Sequence, residues 1–260
     1  MTKIFLQSVA SKTYYVWGFG IFLLLLQSCS GSAGGVDVWE AVEKENLKAI
    51  EQYVKAGGDV NCQSWDGVTP LLNALINRKR KSYEKLLKLG ANPNIIADNV
   101  ASMPHYNRSV MTDAARIKDT FWIKLALEHG GNPNLQIKSS DKVRNSTVYQ
   151  YALENDAFEN IKLLVKHEMD LNLIDKRGET PLVLAANYAR FDIVYFLLEA
   201  GANYKQKGTK GSESFIEFMR TRELGEYPDE ETNQWLAKVF DWLKARGAHP
   251  KAQMKVNDRS

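Results

Sequence analysis

One short phrase, glycine-alanine-asparagine with variations, recurs down this 260-residue chain. Its copies are Gly57-Gly58-Asp59-Val60-Asn61, Gly90-Ala91-Asn92-Pro93-Asn94, Gly130-Gly131-Asn132-Pro133-Asn134, Glu168-Met169-Asp170-Leu171-Asn172 and Gly201-Ala202-Asn203-Tyr204-Lys205, with a weaker sixth at Gly247-Ala248-His249-Pro250-Lys251. Successive copies start 33, 40, 38, 33 and 46 residues apart. A period of about 33 residues belongs to a stacked helical repeat, whose units bury their apolar sides only against one another. A chain built this way is a scaffold with a long surface, and the function it points to is binding.

The clearest unit runs from Asp175 to Asn203. Gly178 serves a turn. Thr180 can cap a helix that Pro181 opens, because the N–H that proline lacks has no partner at a first helical position. Leu182, Ala185 and Ala186 give this helix a small-sided apolar face. Ile193, Val194, Phe196, Leu197 and Leu198 give the next a wide one. Gly201 then ends it in the left-handed region that glycine adopts cheaply. A second unit of the same kind is Ser64-Trp65-Asp66-Gly67-Val68-Thr69-Pro70-Leu71-Leu72-Asn73-Ala74, closing at Gly90-Ala91-Asn92.

These two units resemble ankyrin repeats, with a D-x-x-G-x-T-P-L opening and a G-A-N close. Leu72 and Val183 stand where that family has a histidine after Thr-Pro-Leu, which loosens a local hydrogen bond without altering the fold. The other units are degenerate. Residues 36–61 read as a first repeat without its leading turn, and residues 109–134 carry Ser109-Val110-Met111 in place of Thr-Pro-Leu. Residues 147–172 keep Tyr151-Ala152 and Ile161 to Val165. Residues 205–250 read as a longer cap, with Trp235, Val239, Phe240, Trp242 and Leu243 on a helix opened by Pro228-Asp229-Glu230-Glu231. The expected fold is an all-α ankyrin-repeat solenoid of about five to six helix-turn-helix repeats with degenerate caps, spanning residues 37–250 and followed by a disordered tail at 251–260.

The N-terminus reads as a sorting signal. Lys3 and Lys12 precede a 13-residue apolar block, Tyr14 to Leu26, and no acid occurs before Cys29. That block is short for a transmembrane helix, which needs about 20 apolar residues, and fits the core of a secretory signal peptide. Leu26-Gln27-Ser28-Cys29 then resembles the lipobox of bacterial lipoproteins. The resemblance implies cleavage after residue 28, lipidation of Cys29, and a flexible Gly/Ser tether over residues 29–36. Ser30 after the cysteine implies outer-membrane sorting and a periplasm-facing protein. With Cys29 lipidated, Cys62 has no disulfide partner and reads as a buried, apolar-like thiol.

The formal charge of +3 falls to +1 once the first 28 residues, with their two lysines, are set aside. A nucleic-acid binder would carry a strongly basic face instead. Arg78-Lys79-Arg80-Lys81 reads as a solvated turn. The four histidines, His105, His129, His167 and His249, show no metal-ligand spacing, and neither a nucleophile elbow nor a phosphate loop is present. The expectation is a non-enzymatic chain with no cofactor, no metal and no small-molecule substrate.

The resemblance places binding on the finger turns and on the exposed side of the inner helices. Carried onto this chain, the contact candidates are Trp65, Asp66 and Val68, with Ile76 and Asn77, in one repeat. Lys176, Arg177 and Glu179, with Asn187 and Tyr188, are their counterparts in another. The 40- and 38-residue spacings put extra residues between Ile96 and Arg108 and between Ile137 and Ser146, which adds Tyr106, Arg108, Lys142 and Arg144. Trp65 stands out because tryptophan, tyrosine and arginine dominate binding hot spots; packing on the neighbouring repeat is the competing role. Lipobox and repeats together resemble immunity lipoproteins that neutralise phospholipase effectors of type VI secretion. A lipoprotein scaffold for a resident envelope protein stays open beside that reading.

Overall fold

The computed structural model describes residues 31–97, 107–137, 146–175, 177–208 and 214–248. Among these residues the chain forms six pairs of helices: α1 (Val38–Glu43) with α2 (Leu47–Lys55), α3 (Pro70–Ile76) with α4 (Arg80–Lys88), and α5 (Val110–Arg116) with α6 (Phe121–Glu128). They continue as α7 (Val148–Glu154) with α8 (Phe158–Lys166), α9 (Pro181–Asn187) with α10 (Phe191–Glu199), and α11 (Phe215–Met219) with α12 (Glu230–Lys244). The first helices of the pairs pack in one row, α1 on α3, α3 on α5, α5 on α7 and α7 on α9. The second helices form the other row, and α12 closes it against α10.

Local chemistry starts each inner helix. The Thr69, Thr147 and Thr180 hydroxyls accept from the N–H groups of Leu72, Gln150 and Val183 at 3.1, 3.1 and 3.4 Å. Ser109 does the same through a reciprocal box with Thr112, and Asp37 accepts from Trp39 N–H at 2.8 Å. Each such cap contributes about 1 kcal/mol. Between the rows runs a continuous apolar core. In it the Trp122 ring meets the edge of Tyr83 at 5.0 Å between centroids, and the Tyr83 hydroxyl donates to the Trp122 carbonyl at 3.0 Å. Burial pushes that hydroxyl's pKa up, so it stays a donor at any ordinary pH.

The recurring phrase has two structural jobs. Its first Asx residue folds its own loop: the side chains of Asp59, Asn92, Asn132, Asp170 and Asn203 each accept from the N–H two residues on, at 2.9, 2.9, 2.8, 2.9 and 3.1 Å. The second asparagine reaches the next repeat. Oδ1 of Asn61, Asn94, Asn134 and Asn172 accepts from the N–H of Asn92, Asn132, Asp170 and Asn203 at 2.7, 2.7, 2.7 and 2.8 Å. Asn94 and Asn134 also donate through Nδ2 to the Gly130 and Glu168 carbonyls. At the fifth copy lysine stands in the asparagine's place, and Lys205 has no side-chain acceptor to hold a further rung.

Short antiparallel pairs form at three of the fingers: β1 (Ser32–Ala33) with β2 (Val36–Asp37), β3 (Ile96–Ala97) with β4 (Arg108–Ser109), and β5 (Gln136–Ile137) with β6 (Ser146–Thr147). The last two close the inserted segments at their base. The first corrects two expectations. Residues 29–36 are not all tether, and the first repeat does have a leading turn. Gly34 and Gly35 have φ of +56° and +75°, the left-handed pair that a two-residue hairpin turn requires. Their hairpin stands on the Val38 N–H to Gly31 carbonyl bond, 2.8 Å.

A second feature escapes sequence reading. Helices α3, α7 and α9 are followed by a residue of positive φ, Arg78, Asp156 or Ala189. After α5 the residue one place before that position, Ile117, is already extended, at φ −88° and ψ 117°, which leaves the helix end open. Asn160, fully buried on α8, satisfies the open helix end by donating to the Ala115 and Ile117 carbonyls at 2.9 and 2.7 Å.

Two predictions test this scaffold. Asn94→Ala removes both bonds to the next repeat and lowers the free energy of unfolding by about 2 kcal/mol, whereas Lys205→Ala, at the same phrase position beyond the ladder, changes it by less than about 0.5 kcal/mol. Chemical denaturation of the two variants measures the difference. Glu168 holds φ +66° at a position that is glycine in the neighbouring copies, so Glu168→Gly raises stability by about 1 kcal/mol, read as an upward shift of the thermal midpoint.

Candidate protein-binding surface

Counting from the cap of each inner helix, the seventh residue is Ile76 on α3, Arg116 on α5, Glu154 on α7 and Asn187 on α9. The eighth is Asn77, Ile117, Asn155 and Tyr188. These positions point away from the outer row, and most of them are exposed. They form a face that crosses the repeats at right angles to the helices.

Side chains on this face are held in place by bonds between neighbouring repeats. The Arg116 guanidinium lies over the Tyr151 ring at 4.8 Å and 3.7 Å from the buried Asp113 carboxylate. One repeat on, Glu154 accepts from the Tyr188 hydroxyl at 3.1 Å and from Gln150 Nε2 at 2.8 Å. Asn187 Nδ2 donates to Glu179 at 3.0 Å, and Arg177 lies 3.1 Å from Glu179 and 3.3 Å from Asp175. Burial raises the Glu179 carboxyl above the usual carboxylate range, partly offset by Arg177. The Tyr188 hydroxyl is raised by burial and then by the Glu154 charge.

Of the sequence-derived candidates, Arg177, Glu179 and Tyr188 come together here. Trp65 lies three repeats away and is 74% exposed at its turn, without packing on the neighbouring repeat as a core residue would. The Asp66 carboxylate is occupied by the Ser64 hydroxyl within the turn. Val68 is withdrawn as a contact: its side chain is only 6% exposed, because the residue before the Thr69 cap turns inward. Asn77 is exposed and caps its own helix by donating to the Asn73 carbonyl at 3.1 Å. Arg108 is half-buried and donates through Nε to Asp113 at 2.7 Å, so its charge is spent in the finger base. Cys29, Tyr106, Lys142, Arg144 and Lys176 lie outside the described residues.

Sequence reading missed Arg116, Tyr151 and Glu154. The signal was available: aligning the caps at Thr69, Ser109, Thr147 and Thr180 puts Arg116 and Glu154 in register with Ile76 and Asn187. Cys62 is buried, with the Tyr53 hydroxyl 3.5 Å from its sulfur. His129 and His167 cap the outer helices α6 and α8. Among the described residues no group of three or more His, Cys, Asp or Glu could hold a metal ion, and no helix is long and apolar enough to cross a membrane. Arg80 of the basic run pairs with Asp119 and stacks 4.6 Å from the Phe121 ring.

Stacked helix pairs laced by Asx bonds, presenting a preset row of exposed side chains, define a repeat-built binding scaffold. More particularly, the chain folds as an ankyrin-repeat solenoid, and the family model for ankyrin repeats matches residues 111–208 in three copies. The chain is 25% identical over 197 residues to a mitochondrial disaggregase of Bos taurus, covering 75% of this chain and 27% of that protein. It is 22% identical over 186 residues to a putative ankyrin repeat protein of Acanthamoeba polyphaga mimivirus, covering 67% and 26%. A putative ankyrin repeat protein of fowlpox virus is 27% identical over 164 residues, covering 61% and 45%. The chain therefore spans about a quarter of the first two relatives' length. Ankyrin repeats are typically protein-interaction modules.

Trp65→Ala tests whether that exposed indole has a structural role. The full chain's unfolding free energy should change by less than about 0.5 kcal/mol; a loss of more than about 2 kcal/mol would mean the ring packs on the scaffold.

Proposed function

We propose that the chain is a lipid-anchored binding module of a bacterial envelope, and that it binds and neutralises a secreted antibacterial effector of the phospholipase type. The observation that carries the binding part is the exposed inner-helix row, whose tyrosines, arginine and glutamate are fixed before any partner arrives. Preset side chains lose little entropy on association, which favours tight complexes. The anchoring part rests on Leu26-Gln27-Ser28-Cys29 behind an apolar block. Two or more acyl chains hold a protein stably where one does not.

The tether is shorter than its composition suggests. Gly31 already accepts from the Val38 N–H within the first finger, so Cys29, two residues before it, is at most about 7 Å from a residue held in the fold. An anchored chain would therefore hold its first finger at the membrane surface, where an enzyme acting on lipid must work. Inhibition would come from covering that enzyme's mouth or its membrane-docking side.

The test uses the full chain expressed in its parent strain. Fractionation with mass analysis of the N-terminus should find an acylated Cys29 in the membrane, and Cys29→Ser should release the protein. Capture from envelope and culture fluid should return a secreted lipase whose activity falls when the purified chain is added. Trp65→Ala should weaken that complex by about 2 kcal/mol if the indole is a hot spot. Recovery of resident envelope proteins alone would replace immunity with a scaffold role.

A further inference from the structure

The inner-helix face carries a charge pattern that constrains the partner. At its seventh positions α5 presents a cation, Arg116, and α7 an anion, Glu154, flanked by the uncharged Ile76 and Asn187. Arg116 is 43% exposed, leaning over Tyr151 of the next repeat. Glu154 is exposed as well and leans towards Tyr188 of the repeat after that. Both lean one repeat in the same direction, so their separation stays near one helix spacing, about 10 Å. Tyr188, 45% exposed, offers an open aromatic surface beside the carboxylate.

Neither charge has a full counter-charge to itself. The Asp113 carboxylate nearest Arg116 at 3.7 Å is already engaged at 2.7 Å by Arg108. The partners of Glu154 are a tyrosine hydroxyl and an amide, both neutral. Behind it, Gln150 Oε1 is buried without a hydrogen bond. An acid arriving at Arg116 and a base arriving at Glu154 would each meet an oriented, aromatic-backed counter-charge, and such pairs govern specificity across an interface.

We infer that this face receives a helical segment of the protein partner carrying an acidic and a basic side chain two turns apart, the acid on Arg116–Tyr151 and the base on Glu154–Tyr188. Seven helical residues rise about 10 Å, matching the spacing of the two receiving groups. The inference rests on the protein-binding reading but not on the identity of the partner or on the lipid anchor.

Synthetic helical peptides test it without the natural partner. One carries Glu and Arg seven positions apart, a second the same pair four apart, a third Gln and citrulline at seven, and a fourth two arginines at seven. Binding to the full chain is followed through the ring resonances of Tyr151 and Tyr188. The first peptide should give saturable shifts at both rings and bind at least about tenfold more tightly than the second and third. Arg116→Glu should reverse the preference, so that the two-arginine peptide binds best. Equal binding of all four peptides, shifts at neither ring, or no change of preference in Arg116→Glu would overturn the inference. In those cases capture of a protein partner by the wild-type chain would leave the broader reading standing on another face.

Discussion

The structure depends on one interaction, the hydrogen bond from the second asparagine of each phrase to the backbone N–H of the next repeat. Helix pairs with apolar sides would stack in many registers if packing alone decided, because burial is not directional. The bond from Asn61, Asn94, Asn134 or Asn172 is directional, and it fixes each unit against the next at a single height. Where lysine replaces asparagine at position 205 the regular stack gives way to a longer cap, with a five-residue α11 and a fifteen-residue α12.

Because the ladder runs along the loops that precede the fingers, the fingers themselves are relieved of holding the stack together. This explains how the chain tolerates insertions between Ile96 and Arg108 and between Ile137 and Ser146 while the asparagine bonds on either side keep the same length. The turns between the helices of each pair carry a second, softer lacing: Lys118 and Arg190 both meet Asp156, and Lys118 does so at 2.8 Å. These pairs are mostly exposed and screened by salt, so they trim the register more than they stabilise it.

Much of the fold was legible because its determinants are local. Thr-Pro openings, the Gly-closing turns and the Asx phrase act within a few residues of themselves, and a single sequence displays them. What stayed hidden acts at a distance. Asn160 caps a helix that ends more than forty residues earlier, and nothing in its own helix signals this. Val68 read as a turn residue, yet its side chain packs inward. The stretch Gly31-Ser32-Ala33-Gly34-Gly35 has the composition of a linker, but two consecutive left-handed glycines make it a hairpin. Within the candidate surface, Tyr188 and Arg177 were recoverable from the family pattern. Arg116, Tyr151 and Glu154 sit in degenerate repeats, where the pattern that would have flagged them is eroded.

The recognition surface follows from the ladder: repeats fixed in height present their seventh and eighth inner-helix residues as one row, and neighbouring repeats bond those residues in place. The direct measurement is hydrogen–deuterium exchange of the full chain with and without a protein that it captures. The account predicts new protection in residues 107–117, 146–155 and 177–188, with exchange in the outer helices at 121–128, 158–166 and 191–199 unchanged. Protection confined to those outer helices would contradict it.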